Sequence, residues 1–139
     1  MKEIVLDTET TGISIKDGHR IIEIGCVELD DLIPTQNKFH CYVNPERKVS
    51  EKAFEVHGYS DKFLSDKKKF SEISDEFLEF IKDKRLIIHN AEFDLSHLNH
   101  ELELIGKKKI DNEIIDTIIL ARDKFPGSSI SLDALCKRF

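Results

Sequence analysis

At 139 residues, 40% hydrophobic and 35% charged, the chain has the composition of one small globular domain, residues 1–139, with a single core. A net charge of −6 argues against a protein that grips long duplexes by neutralising phosphates, but not against one that holds a few terminal nucleotides in a cleft whose local charge is set by bound cations. No apolar run approaches the roughly 18 residues of a membrane span, and Glu3 and the strand at Ile4 read as leaving no room for a signal peptide.

Apolar alternation predicts strands at Ile4–Thr8, Ile21–Leu29 and Lys38–Val43, the last with Phe39, Cys41 and Val43 alternating with His40 and Tyr42. Their short connections imply an antiparallel meander. Ser50 and Gly58 bracket a short helix as N-cap and C′ residue, and Phe70, Ile73, Phe77, Phe80 and Ile81 mark a second helix from Phe70 to Asp83. Arg85–His89 reads as a short buried strand, followed by Asn90 as N-cap of a helix that starts at Ala91 and carries the apolar stripe Leu95, Leu98, Leu102 and Ile105. A strand at Glu113–Ile115 and a helix from Asp116 or Thr117 to Phe125 follow, and Ser131 begins another helical segment. The pattern is α/β: a mixed five-stranded sheet with flanking helices.

The sharpest chemical signal is DTETTG at Asp7–Gly12, at the exit of the first strand. Successive side chains on a strand alternate, so Asp7 and Glu9 project from one face about 7 Å apart. Paired carboxylates there suit a hard divalent cation; two solvated acids at a strand end are the simpler account of the pair alone. Asp94 is a third acid, in the first turn of its helix and roughly 60° from the centre of the apolar stripe at about 100° per residue. A metal ligand and an acid placed by the helix dipole are equally good accounts of Asp94 by itself. Lys67–Lys69 and Lys107–Lys109 read as solvated loop charges, and Asp116 as a helix N-cap at least as readily as a catalytic group. Cys26, Cys41 and Cys136 show no Cys-x-x-Cys spacing and read as small core residues of a reducing, cytoplasmic setting.

DTETTG, then IIEIGCVEL at Ile21–Leu29, VHG at Val56–Gly58, HNAEFD at His89–Asp94, FPG at Phe125–Gly127 and SLDALC at Ser131–Cys136 together resemble the DEDDh exonuclease superfamily, in its DNA-proofreading branch, over essentially the whole chain. The resemblance implies the ribonuclease H-like exonuclease fold and 3′ to 5′ hydrolysis of DNA ends with two divalent metal ions, Mg²⁺ or Mn²⁺. It assigns Asp7, Glu9 and Asp94 to the metals and Thr10, Gly12, His57 and Phe93 to the terminal nucleotide. The expected partners are a single-stranded or frayed DNA 3′ end and a replicative polymerase, with no membrane. Members of the superfamily also carry an H-x-x-x-x-D motif on a final helix, supplying a general base and a fourth carboxylate. No such pattern occurs in a suitable place before Phe139, so the sequence reads as truncated before that last helix, with impaired activity expected. Two alternatives share the fold: a non-catalytic module that binds nucleic acid or a polymerase, and an RNA 3′ exonuclease. A dehalogenase-type phosphatase, whose DxDxT motif DTETT superficially resembles, is disfavoured by Glu9 and by a hairpin after the first strand.

Overall fold

The computed structural model describes residues 1–127 and 131, and its sheet is built around β1 (Lys2–Thr10). On one side β1 pairs antiparallel with β2 (Ile21–Asp30), which pairs antiparallel with β3 (Ile33–Tyr42). On the other side it pairs parallel with β4 (Arg85–Ile88), which pairs parallel with β5 (Ile114–Asp116). The order β3-β2-β1-β4-β5 is the expected mixed sheet, a meander followed by two crossover strands. The SLDALC segment lies outside the described residues, apart from Ser131.

Alternation decides which face of the sheet is covered. Ile4 and Leu6 of β1, Ile24 and Cys26 of β2 and Phe39 of β3 point to one side. They meet Phe70, Ile73, Phe77 and Ile81 of α3 (Phe70–Ile81) and Leu98 and Leu102 of α4 (Ala91–Leu104). Phe77, completely buried, lies 5.7 Å from Phe39 between ring centroids, in the range where tilted aromatic pairs attract. Val5, Asp7 and Glu9 alternate to the opposite, open side.

Three details depart from the sequence reading. The third strand begins at Ile33 rather than Lys38; Pro34 and the polar run Thr35–Asn37 hide it, and they are tolerated because β3 is an edge strand. A 3-10 turn at Ile15–Asp17 and a short helix, α2 (Asp61–Leu64), follow β1 and α1 (Glu51–His57) without an apolar period to announce them, while Ser50 and Gly58 cap α1 as expected. Asn90 is not a side-chain cap. Its backbone is left-handed, at φ 63°, and the cap comes instead from Asp116 at the end of β5, which accepts from the backbone N–H groups of Asn90 (3.0 Å) and Ala91 (2.9 Å). The register Ile88↔Asp116 puts that carboxylate beside the start of α4, where it also caps α5 (Thr117–Lys124) through Ile118 N–H at 2.9 Å.

Candidate active site

β1 and β4 are paired only from Glu3–Val5 to Arg85–Ile87, so β1 outruns its parallel neighbour and its last residues emerge beside the N-terminus of α4. A bulge between Glu9 and Thr10 ends the regular pairing with β2. Asp7 and Glu9 lie on the open face of this overhang. Asp94 approaches the end of β1 from the first turn of α4: the residue is only 3% exposed, and its carboxylate accepts a 2.5 Å hydrogen bond from Thr8 Oγ1.

The electrostatics tie the three acids together. Burial pushes the Asp94 carboxyl up to about 7, against the Thr8 donor, and the charges of Asp7 and Glu9 add to the rise. Burial also raises Asp7, and it raises Glu9, where the Asp7 charge is the next cause. Glu23, directly opposite Glu9 in the β1–β2 register, raises both. The Glu23 carboxylate accepts from His40 Nε2 at 2.6 Å and lies 3.5 Å from the Tyr59 hydroxyl. Among the described residues, no Lys or Arg forms an ion pair with Asp7, Glu9 or Asp94.

The donors of this carboxylate site are all oxygen, a set whose chemistry matches Mg²⁺ or Mn²⁺. Among the described residues, no group of three or more His, Cys, Asp or Glu side chains is arranged so that it could by itself hold a metal ion. Mg²⁺ is usually held by one or two carboxylates, with water and substrate phosphate oxygens completing its shell.

The loop after β1 is tied down at nearly every residue. Thr10 Oγ1 donates to the Gly12 carbonyl at 2.6 Å, and Thr11 Oγ1 accepts from Arg20 N–H at 3.0 Å while lying 2.9 Å from His19 Nδ1. Gly12 is required by contact rather than by turn geometry, because a Cβ there would lie 2.3 Å from the His19 ring. His57 accepts at Nδ1 from Tyr59 N–H (3.0 Å) and donates from Nε2 to the Thr10 carbonyl (3.2 Å), so the VHG turn is fastened to the same loop. Its ring stacks on Tyr59.

Across the loop, a groove of about 550 Å³ runs between Ile13–Lys16 and the first turns of α4, with Phe93 and His97 among its lining residues. Asp7, Glu9, Asp94, Thr10, Gly12, His57 and Phe93 therefore gather around one end of the sheet. Of three larger hollows, those of about 720 and 770 Å³ lie beside Lys82 and Asp83, near the opposite ends of β1 and β4, and one of about 590 Å³ lies beside Glu28 and Lys84. The sequence reading missed Thr8, Glu23 and the inward polar residues of α4, His97 and Glu101. The α4 residues left one trace: they recur with Asp94 at helical spacing beside the leucine stripe.

The sheet and its flanking helices are those of an exonuclease-type α/β fold, and the chain belongs to the RNase T family of exonucleases, whose model, described as "Exonuclease", matches residues 4–139. More particularly, it is 52% identical over 143 residues to the DNA polymerase III subunit epsilon of Rickettsia felis, covering 100% of this chain and 62% of that protein. It is 45% identical over 146 residues to the same subunit of Escherichia coli K12, covering 99% of this chain and 60% of that protein. The chain thus spans about three-fifths of the length of these relatives. Among solved structures, exonuclease X in complex with 5′ overhanging duplex DNA superposes with a TM-score of 0.76 at 28% identity, covering 97% of this chain and 71% of that one. E. coli exonuclease I in complex with a dT13 oligonucleotide gives 0.83 at 13% identity over 98% of this chain and 35% of that one, a likeness of fold. Among the described residues, no helix is long and apolar enough to cross a membrane.

Proposed function

We propose that this protein removes nucleotides from DNA 3′ ends by phosphodiester hydrolysis and serves as the proofreading exonuclease of a cytoplasmic replicative polymerase. The observation that carries this reading is the trio Asp7, Glu9 and Asp94: three carboxylates raised by burial near the end of β1, with the Asp7 charge adding to the rise of Glu9 and both charges adding to that of Asp94, and with no Lys or Arg paired to them among the described residues. Two divalent ions held there would polarise the attacking water and stabilise the charge that builds on the phosphate. Asp7, Glu9 and Asp94 would hold these ions, Glu9 toward the attacking water and Asp94 toward the leaving group. Other residues of this chain would place the substrate and the acids. Phe93 and Ile13 flank the groove that takes the terminal base, the Thr10–Gly12 backbone and the His57 ring border the sugar and phosphate, and the Thr8 hydroxyl holds Asp94 in place.

The identity of 45–52% to subunits named DNA polymerase III epsilon supports DNA as substrate and the DNA polymerase III catalytic subunit as partner. The test has two readouts. Calorimetric Mn²⁺ titration should show weakened binding in Asp7→Ala, Glu9→Ala and Asp94→Ala alike, because each change breaks a common site. The full-length natural protein should degrade a 5′-labelled single-stranded DNA from its 3′ end faster than the RNA of the same sequence. Unchanged Mn²⁺ affinity in all three variants would refute the metal assignment. Mn²⁺ binding and 3′-end binding without hydrolysis would leave the non-catalytic module as the better reading, and a preference for RNA would replace the substrate.

A further inference from the structure

Besides its leucines, α4 carries a buried polar seam. Asp94, His97 and Glu101 follow one another at helical spacing and are 3%, 2% and 2% exposed. Each holds a different point of the chain from the end of β1 to the residue before β2. Asp94 takes the Thr8 hydroxyl at 2.5 Å, His97 Nε2 takes the Ile13 carbonyl at 3.0 Å, and Glu101 receives Arg20 Nε at 2.6 and 2.9 Å on its two oxygens.

The middle contact differs from the other two in what it spans. The His97 ring lies against Phe93, 4.6 Å between centroids, while its Nε2 holds Ile13 from below. Phe93 and Ile13 both line the groove beside the candidate active site, and Ile13 stands on its rim at 79% exposure. A carbonyl can only accept, so Nε2 carries the proton. Burial disfavours the charged ring, in keeping with that neutral donor. An apolar side chain of similar size would pack against Phe93 and leave the Ile13 carbonyl unanswered.

We propose that His97 is a positioning residue: by bonding the Ile13 carbonyl while packing on Phe93, it sets the spacing of the groove's two walls and with it the fit of the terminal base of a 3′ end. The choice of ligand rests on the nuclease reading above, whereas the hold on the loop rests on contacts within this chain.

The experiment compares His97→Leu, which keeps bulk and loses the donor, with His97→Gln, whose amide nitrogen stands close to where Nε2 does, in the full-length natural protein. Amide hydrogen exchange should accelerate about tenfold over Ile13–Asp17 in His97→Leu, the order expected from losing one buried hydrogen bond, and return close to wild type in His97→Gln. On a single-stranded DNA with a free 3′ end, His97→Leu should raise KM about tenfold and change kcat by less than about twofold, with His97→Gln again restoring the wild-type value. Should His97→Leu fail to fold, His97→Asn, whose amide falls short of the carbonyl, is expected to loosen the same amides. Wild-type exchange over Ile13–Asp17 in the folded donor-deficient variant overturns the proposal, and so does a His97→Gln protein as impaired as His97→Leu. A loosened loop with an unchanged KM overturns the role in base fit. A wild-type protein that neither binds nor cleaves 3′ ends refutes the nuclease reading, while the exchange data still decide whether His97 holds the loop.

Discussion

Replacing Asp94 by Asn separates the charge of this residue from its hydrogen bond. An Asn side-chain oxygen can still accept from Thr8 Oγ1, as the Asp94 carboxylate does at 2.5 Å, but it has no proton to lose. The Asp94 carboxyl sits at about 7 against an ordinary 3.8. About three pH units at about 1.36 kcal/mol each make the ionised form on the order of 4 kcal/mol worse in the folded protein than in the unfolded one. The sign follows from a native pKa above the unfolded value. Near pH 3, where both states hold the proton, wild type and Asp94→Asn should be similarly stable. Between about pH 4 and 7 the unfolded chain loses its proton first and wild-type stability falls; above about 7 the deficit is constant. In chelator, at pH 8, Asp94→Asn should therefore unfold at higher urea than wild type, by about 2–4 kcal/mol when extrapolated to water. Saturating Mn²⁺ should reverse the order, because a bound cation favours the ionised carboxylate of the wild type. Equal stability of the two proteins at pH 8 without metal would show that Asp94 is not held under electrostatic strain, and equal stabilisation by Mn²⁺ would show that it takes no part in the metal site.

Other consequences concern the frame around the acids. Gly12→Ala should destabilise by about 1–3 kcal/mol through its clash with the His19 ring, and His19→Ala in the same chain should recover most of the loss, a coupling that a double-mutant cycle measures. Arg20→Ala strands the buried Glu101 carboxylate and should cost about 3–5 kcal/mol in urea unfolding, with Glu101→Gln added to it restoring part. Asp116→Ala removes the acceptor for Asn90, Ala91 and Ile118 N–H and should cost about 1–3 kcal/mol, while Mn²⁺ affinity by calorimetry stays close to wild type if capping is its main task.

Much of the fold was legible because its signals are local. Alternation marks the strands, the 3.6-residue period marks α3, and Ser50 and Gly58 mark the ends of α1, each readable within a dozen residues. Asp7 and Glu9 were legible for the same reason, since strand geometry alone puts them on one face. Asp94 could be placed only at the margin of its helix, because its hydrogen-bond partner is Thr8, 86 residues earlier in the chain. The same distance hid the rest of the seam: His97 bonds a carbonyl 84 residues away and Glu101 a guanidinium 81 residues away. A periodicity search follows the leucines of α4 and treats polar residues beside them as the solvated face. Asn90 misled in the opposite way. Its residue type fits an N-cap, but the reversal from β4 into α4 demands a left-handed backbone, and parallel pairing with β5 had already supplied a carboxylate at the spot.

The position of the acids follows from sheet order. β1 continues into β2 on one side, while β4 arrives on the other after α3, so the connections leaving the ends of β1 and β4 diverge. In open α/β sheets such a divergence leaves a crevice at the carboxyl ends of the strands, which is where ligands bind. Two requirements meet there. Carboxylates on the last turns of β1 stay reachable from solvent on a face that α3 and α4 do not cover, and α4 begins alongside, its N-terminal dipole favouring Asp94 despite its burial. A crevice of this kind is open by construction, so something must keep its walls from drifting. The polar seam of α4 is suited to that task because apolar packing has no direction, whereas bonds to Thr8, Ile13 and Arg20 each admit a single register of loop on helix.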